Sequence, residues 1–132
     1  MPGKILCAAL LTLLTACGPD TGRIDAAERL VPEFHLALID GDFDGIYARA
    51  APELRQAQDA AAFAGRLQRQ RAALGAVRGT ERVEAAVDGE VVRLRYRTFY
   101  ERGPASEAFV VRLTPGGAPS LMAYRLLEPA LD

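Results

Sequence analysis

The chain has 132 residues, of which half are hydrophobic, with 16 basic against 17 acidic residues. This length leaves room for one domain, and a net charge near zero excludes the strongly basic profile of a nucleic-acid-binding protein. The only cysteines are Cys7 and Cys17, and His35 is the only histidine. We therefore expect no disulfide, no cysteine nucleophile, no metal centre and no bound cofactor in the folded part.

The first 16 residues have the order of a secretory signal. Lys4 makes the start positively charged, and residues 5–14 form an apolar run interrupted only by Thr12. Extended to Ala16, this segment would span about 18 Å as a helix, against about 30 Å of bilayer hydrocarbon. The pattern predicts a cleaved leader and not a transmembrane helix.

Residues 14–17, Leu-Thr-Ala-Cys, resemble the lipobox of bacterial lipoproteins. This resemblance implies cleavage between Ala16 and Cys17 and attachment of fatty acyl chains to Cys17, where two or more chains make a stable anchor. An ordinary cleaved signal with a cysteine nearby is the alternative. Because glycine and not aspartate follows as residue 18, the resemblance slightly favours the outer over the inner membrane, with the domain facing the periplasm.

Beyond the cleavage point, we expect a polar tether at residues 17–24 and one domain at residues 25–132. Apolar residues recur at three- and four-residue spacing from Ala27 to Ile39, which predicts a first helix. Pro32 should kink this helix or mark its true start.

Two further helices are predicted before the sheet. Gly41 can end the first helix, and residues 43–50 form a short second one, after which Pro52 starts another turn. Asp59 is placed to cap a third helix that stops at Gly75.

After residue 75 the apolar period changes from about four to two, which indicates strands. Asp88-Gly89 predicts a hairpin, Gly103-Pro104 a second turn, and residues 115–119 a last loop. The expected register places Val83 opposite Leu94. The fold class predicted is α+β, with three helices packed on one face of a four-stranded antiparallel meander.

Several stretches resemble small bacterial envelope proteins with a nuclear-transport-factor-two-like, or cystatin-like, cone. They are residues 38–43 (LIDGDF), residues 74–78 (LGAVR) and the strand segments 92–100 and 123–126. The resemblance covers about residues 25–127. It implies the fold more than an activity, because such folds carry enzymes, binders and assembly modules alike.

Two motifs on the helices have a simple structural interpretation. Residues 40–45 match the first half of a calcium loop, but Ala51 stands where its bidentate glutamate belongs, so we interpret Asp42 as a helix cap. His35, beside apolar helix residues, is expected to be packed and hydrogen-bonded and not to bind a metal.

Six residues at inward-facing strand positions form a candidate pocket: Glu81, Tyr96, Thr98, Tyr100, Glu107 and Tyr124. The expected register sets Glu81 opposite Tyr96, Tyr100 opposite Glu107, and Val111 between the strands of Tyr96 and Tyr124. The resemblance implies that an acid and tyrosines here can transfer protons, as in cone-fold isomerases and dehydratases. Because both acids fall near predicted strand ends, we expect them to be solvated and the tyrosines to fill the core.

Six arginines are predicted on the outer face of the sheet: Arg82, Arg93, Arg95, Arg97, Arg112 and Arg125. The expected pairing aligns Arg82, Arg95 and Arg112 in one row, and directly opposed like charges destabilise a sheet. Either this face meets an anionic envelope component, such as lipid headgroups, wall polymer or an acidic protein, or it is a solvated face.

The sequence as a whole thus predicts a membrane-anchored envelope lipoprotein. Its domain is expected to be a non-enzymatic binding or interaction module. A cofactor-free isomerase or hydrolase acting in the cone cavity is the alternative.

Overall fold

The computed structural model describes residues 19–116 and 118–127. Within these residues, five helices precede four strands: α1 Pro19–Glu28, α2 Leu30–Asp40, α3 Phe43–Arg49, α4 Pro52–Ala57, α5 Ala60–Leu74, β1 Val77–Asp88, β2 Val91–Tyr100, β3 Gly103–Arg112 and β4 Ser120–Leu127. The strands form one antiparallel sheet in the order β1-β2-β3-β4, which confirms the α+β class and the meander. The predicted leader and Cys17 lie outside the described residues. Within those residues, no helix is long and apolar enough to cross a membrane.

Helices α1 and α2 follow each other almost without a break. Arg29 joins them with α-helical backbone angles, φ −60° and ψ −28°. Because Pro32 has no N–H, the carbonyl of Glu28 lacks its usual helical partner. The helix is interrupted directly after this residue. An interruption near Pro32 is thus present, as a break at Arg29. The helix nevertheless begins at Pro19, so residues 19–24, which we expected to be a tether, are helical.

The helix ends predicted at Gly41 and Gly75 are confirmed. Gly41 ends α2 with a φ of 74°. The Asp42 carboxylate accepts a hydrogen bond of 3.1 Å from the Gly45 N–H and caps α3, which is the interpretation chosen over a calcium loop. Asp59 caps α5 in the same way. The turn after Ala51 is a helix of its own, and the first predicted helix is divided at Arg29, so the helices number five among the described residues and not three.

The core lies between the helices and the inner face of the sheet. Its largest apolar members have almost no exposed surface: Leu38, Leu54, Phe63, Leu67, Leu94 and Phe109. Each such side chain contributes roughly 1.5–3 kcal/mol through its removal from water. Within this core Phe34 of α2 packs against Phe109 of β3 and Tyr124 of β4.

The faces of β2 and β3 are as predicted, but their register is not. The turn between them is Glu101–Arg102, so Tyr96 and not Tyr100 lies opposite Glu107. Val111 pairs with Val92 and does not lie beside Tyr96. The offset is four residues. Because this number is even, the inward-facing set is unchanged.

Strand β1 departs further from the expected pairing. Its hairpin turn is Gly89–Glu90, and a bulge lies between Arg82 and Glu84. The turn sets Ala85, and not Val83, opposite Leu94, and the bulge leaves Val83 56% exposed. It also sets Arg82, and not Glu81, opposite Tyr96.

Candidate functional site

A carboxylate lies at the centre of the inner face of the sheet. Glu107 is 0% exposed, so the expectation that it is solvated is wrong. The reason is the turn at residues 101–102, which places Glu107 in the middle of β3 and under α2 instead of near a strand end. A buried carboxylate requires compensating hydrogen bonds.

Four side chains supply these hydrogen bonds. Oε1 of Glu107 lies 2.8 Å from Nε2 of His35 and accepts a hydrogen bond from the Thr98 hydroxyl. Oε2 accepts from the Tyr100 hydroxyl at 2.8 Å and from the Tyr124 hydroxyl. A carboxylate offers about four acceptor positions, and all four are occupied here.

Gln70 of α5 completes this arrangement. Its amide nitrogen donates to the Tyr100 hydroxyl at 3.2 Å and to the Tyr124 hydroxyl at 2.7 Å. Each phenol therefore accepts one hydrogen bond and donates another. We call these six residues the Glu107 cluster: His35, Gln70, Thr98, Tyr100, Glu107 and Tyr124. In residues 19–116 and 118–127, no buried side-chain nitrogen or oxygen lacks a partner.

The electrostatics of the Glu107 cluster favour an ionised carboxylate. Burial acts to raise the pKa of Glu107, but the hydrogen bond and charge interaction with His35, and the bonds from Thr98 and Tyr124, outweigh it and lower that pKa. Burial and the neighbouring carboxylate raise the pKa of Tyr100 and of Tyr124 well above the usual value of 10.0. Both phenols consequently remain hydrogen-bond donors at neutral pH.

The structure brings together four of the six residues of the predicted pocket. Thr98, Tyr100, Glu107 and Tyr124 belong to the cluster. Tyr96 faces inward beside them but donates instead to Glu28, at 3.1 Å. The bulge in β1 leaves Glu81 exposed and opposite Arg97, so this carboxylate does not enter the pocket.

Two members of the cluster were not predicted as part of it. His35 is packed and hydrogen-bonded as expected, but its partner was not foreseen. Gln70 lies three residues after the buried Leu67 and seven after Phe63, on the same helical face. A polar residue within the apolar stripe of this helix was therefore the sequence signal that could have identified Gln70.

A cleft of about 630 Å³ opens between α2 and β1, with His35 on its floor. Its apolar lining comes from both elements: Val31, Pro32, Leu36, Ile39 and Val77. Its polar lining is Glu28, Arg78, Thr80, Arg82 and Tyr96. Arg82 donates to Oε1 of Glu28 at 2.6 Å, and the same oxygen accepts from Tyr96. These bonds fix the polar wall of the cleft.

A second, smaller cavity of about 380 Å³ lies between α2, α3 and the start of β4. Leu30, Phe34, Ile46 and Leu121 form its apolar walls, and Arg29 is among the residues at its rim. It is separate from the Glu107 cluster. Over the described part of the chain, no three His, Cys, Asp or Glu side chains are grouped so that they could hold a metal ion.

The predicted arginine face is only partly present. Arg93, Arg95, Arg97 and Arg125 are exposed on the outer face, with Arg95 bound to Glu84 at 2.8 Å.

The other two arginines differ from the prediction. Arg82 lies on the inner side as a result of the bulge, and Arg112 is paired with Glu53 of α4. The predicted row of Arg82, Arg95 and Arg112 is therefore wrong. In the observed register Arg95 lies opposite Glu84 and Ala108.

Comparisons with known proteins give no family. No protein-family model matches the chain, and no curated protein is significantly similar to it. The lipobox and the cone resemblance therefore stay predictions.

Proposed function

We propose that the chain is a lipid-anchored protein of the bacterial cell envelope whose cone-like domain binds a small anionic amphiphile in the α2–β1 cleft. The lipobox at residues 14–17 supports the anchor. The cleft supports the binding role. The Glu107 cluster is the rigid floor on which this binding site is built.

The observation that carries the proposal is the size and lining of the cleft. Its volume of about 630 Å³ lies within the range of small-molecule sites, and its walls combine apolar side chains with a few fixed polar groups. The Glu107 carboxylate itself has no exposed surface. A ligand consequently meets His35, Tyr96 and the arginines, and not the acid.

The charges of the lining favour an anionic ligand. Arg82 is neutralised by Glu28, whereas Arg78 is exposed at the cleft and forms no ion pair with another described residue. The apolar residues of α2 then contact the remainder of the ligand. A molecule with one carboxylate, sulfonate or phosphate group and an apolar body matches this lining.

Binding of the fluorescent probe 1-anilinonaphthalene-8-sulfonate tests the proposal, because this molecule is a small anionic amphiphile. Thr80 is exposed and lies on the inner face opposite Thr98, so Thr80→Trp fills the cleft. We expect saturable binding of one probe per chain and an affinity at least tenfold lower in Thr80→Trp.

Ala86→Trp is the matched control, because it adds the same ring to the exposed outer face of the same strand. This variant should bind like the wild type. Non-saturable binding, or equal losses in both variants, would contradict the proposed site.

An isomerase or hydrolase is the second candidate, and the His35–Glu107 pair favours it. A carboxylate that holds one imidazole nitrogen is the arrangement that orients a general base. Nε2 faces Glu107, which leaves Nδ1 as the nitrogen for a ligand in the cleft. Hydrolysis of p-nitrophenyl acetate that is saturable in the wild type and lost in His35→Asn would support this candidate. Unchanged probe binding in His35→Asn without such turnover supports the binding module.

A further inference from the structure

On the outer face of β2, β3 and β4, every charged side chain is positive. Across β2, β3 and β4, the charged outward side chains are arginines: Arg93, Arg95, Arg97, Arg112 and Arg125. The three acids of this face, Glu81, Glu84 and Asp88, belong to the edge strand β1, where Glu81 lies opposite Arg97 and Glu84 opposite Arg95. Arg112 reaches Glu53 and Arg95 is paired with Glu84, so three of the five arginines form no ion pair with another described residue: Arg93, Arg97 and Arg125.

Small neighbours leave these guanidinium groups prominent. Arg93, Arg95 and Arg97 of β2 lie opposite Val110, Ala108 and Ser106 of β3, respectively. Arg125 of β4 lies opposite Ala108 from the other side. Long cationic side chains consequently flank a shallow strip of small ones. Such a surface can approach a flat layer of anions without steric obstruction.

An exposed aromatic ring lies at the end of the same row. Phe99 follows Arg97 on the outer face, is 39% exposed, and has its ring 5.5 Å from the Arg97 guanidinium carbon. Aromatic side chains with an apolar body and a polar surrounding are favoured at membrane interfaces. The ring adds an apolar contact to the charge of this face.

The start of α1 bears on how this face is placed. Pro19 begins the helix two residues after Cys17, and two residues span at most about 7 Å. Arg23 of α1 donates to the Gly89 carbonyl at 3.1 Å, so the chain enters the domain at the end of the sheet with the β1–β2 turn. The arginines of β2 lie roughly 7 to 20 Å along the strand from that turn.

From the charge of the face and the short connection to Cys17, we infer that the outer sheet face docks on the anionic headgroups of the membrane that carries the anchor. This inference rests on the proposed anchor for its geometry, but the face has its own affinity for anionic lipid. Each arginine at an anionic surface contributes about fivefold to binding. The acyl chains and the arginine face then hold the domain flat, with the α2–β1 cleft directed away from the lipid.

Vesicle binding by a chain without acyl groups tests the inference separately from the anchor. The protein is the mature chain, residues 17–132, with Cys17→Ser. Its sedimentation is measured with vesicles of phosphatidylethanolamine alone and with one third phosphatidylglycerol. We expect binding only to the anionic vesicles. The triple variant Arg93→Gln, Arg95→Gln and Arg97→Gln should lower the partition coefficient at least tenfold.

The matched control changes three exposed arginines of the helical layer to glutamine: Arg55, Arg69 and Arg71. It removes the same charge and should bind within twofold of the wild type. Equal losses in both triple variants would show a general charge effect and overturn the inference. Equal binding of the wild-type chain to anionic and neutral vesicles would also overturn the inference, even where the protein binds wall polymer or an acidic protein. Thermal unfolding of each variant verifies its fold.

Discussion

The Glu107 carboxylate has four donors and no contact with water, and this decides what its replacement costs. Glu107→Gln keeps the shape but turns one acceptor oxygen into a donor that faces hydroxyl groups which must also donate. We expect the free energy of unfolding to fall by about 3 kcal/mol, as when one partner of a buried charged pair is removed. Urea denaturation at pH 7 measures this change.

Glu81→Gln is the control for that measurement, because Glu81 is the other acid of the predicted pocket and is exposed. Its effect should stay within about 0.5 kcal/mol. Equal effects of the two substitutions would contradict the described burial of Glu107. Each acid was predicted only in part: Glu107 faces inward but is buried, and Glu81 is solvated but faces outward because of a bulge that has no sequence signal.

The same carboxylate makes stability depend on acid pH. The pKa of Glu107 is lower in the folded than in the unfolded chain, where it is near 4.5. The contribution of Glu107 to the free energy of unfolding is therefore complete above about pH 4.5. It is lost as the pH falls through the pKa of Glu107 in the folded chain. The difference in unfolding free energy between the wild type and Glu107→Gln should shrink as the pH is lowered below 4.5. A constant difference down to pH 3 would contradict an ionised buried Glu107.

At the scale of elements, the junction between α5 and the sheet depends on Gly75. Its backbone has φ 78° and ψ −156°, a conformation that residues other than glycine rarely adopt. A Cβ at this position would lie 3.0 Å from Cβ of Glu101, in the β2–β3 turn. That turn is bound to the junction through the Glu101 N–H, which donates to the Ala76 carbonyl at 2.9 Å.

We therefore expect Gly75→Ala to lower the free energy of unfolding by about 2–3 kcal/mol. Gly41→Ala is the comparison. Gly41 also has positive φ, 74°, but its Cβ would meet only the end of the Arg71 side chain at 3.5 Å. Its cost should be about 1 kcal/mol. Chemical denaturation measures the loss of unfolding free energy in both variants. Equal losses, or a larger loss in Gly41→Ala, would show that the β2–β3 turn accommodates the added Cβ without strain.

The elements themselves were largely predictable, and their pairing was not. Helix ends at Gly41 and Gly75 follow from local chemistry that acts within a few residues, and the structure has both. Strand faces depend only on parity, which survived the four-residue offset between β2 and β3. Register depends on which residues form a turn and on the bulge before Glu84, which local sequence does not specify. The prediction of the Glu107 cluster was incomplete for the same reason: its members come from α2, α5 and three strands, and local sequence does not specify how these elements meet.

For the whole molecule, the location depends on a residue outside the described structure. The lipobox predicts acyl chains on Cys17, and Cys7 offers a second thiol within the same leader. Cells that express the protein with an alkyne-labelled palmitate should incorporate label into the wild type and into Cys7→Ala, but not into Cys17→Ala. The reason is that the predicted cleavage makes Cys17 the mature amino terminus and removes Cys7 with the leader.

Mass spectrometry of the mature chain provides the second half of this prediction. The amino-terminal peptide should begin at Cys17 and carry the mass of its acyl groups. Because α1 begins at Pro19, an acylated Cys17 leaves two residues between the lipid and the folded domain. The orientation of the arginine face and of the α2–β1 cleft then follows from so short a connection. Label that persists in Cys17→Ala, or a mature terminus elsewhere, would leave the domain free to diffuse, and only the intrinsic affinity of the arginine face could then bring it to a membrane.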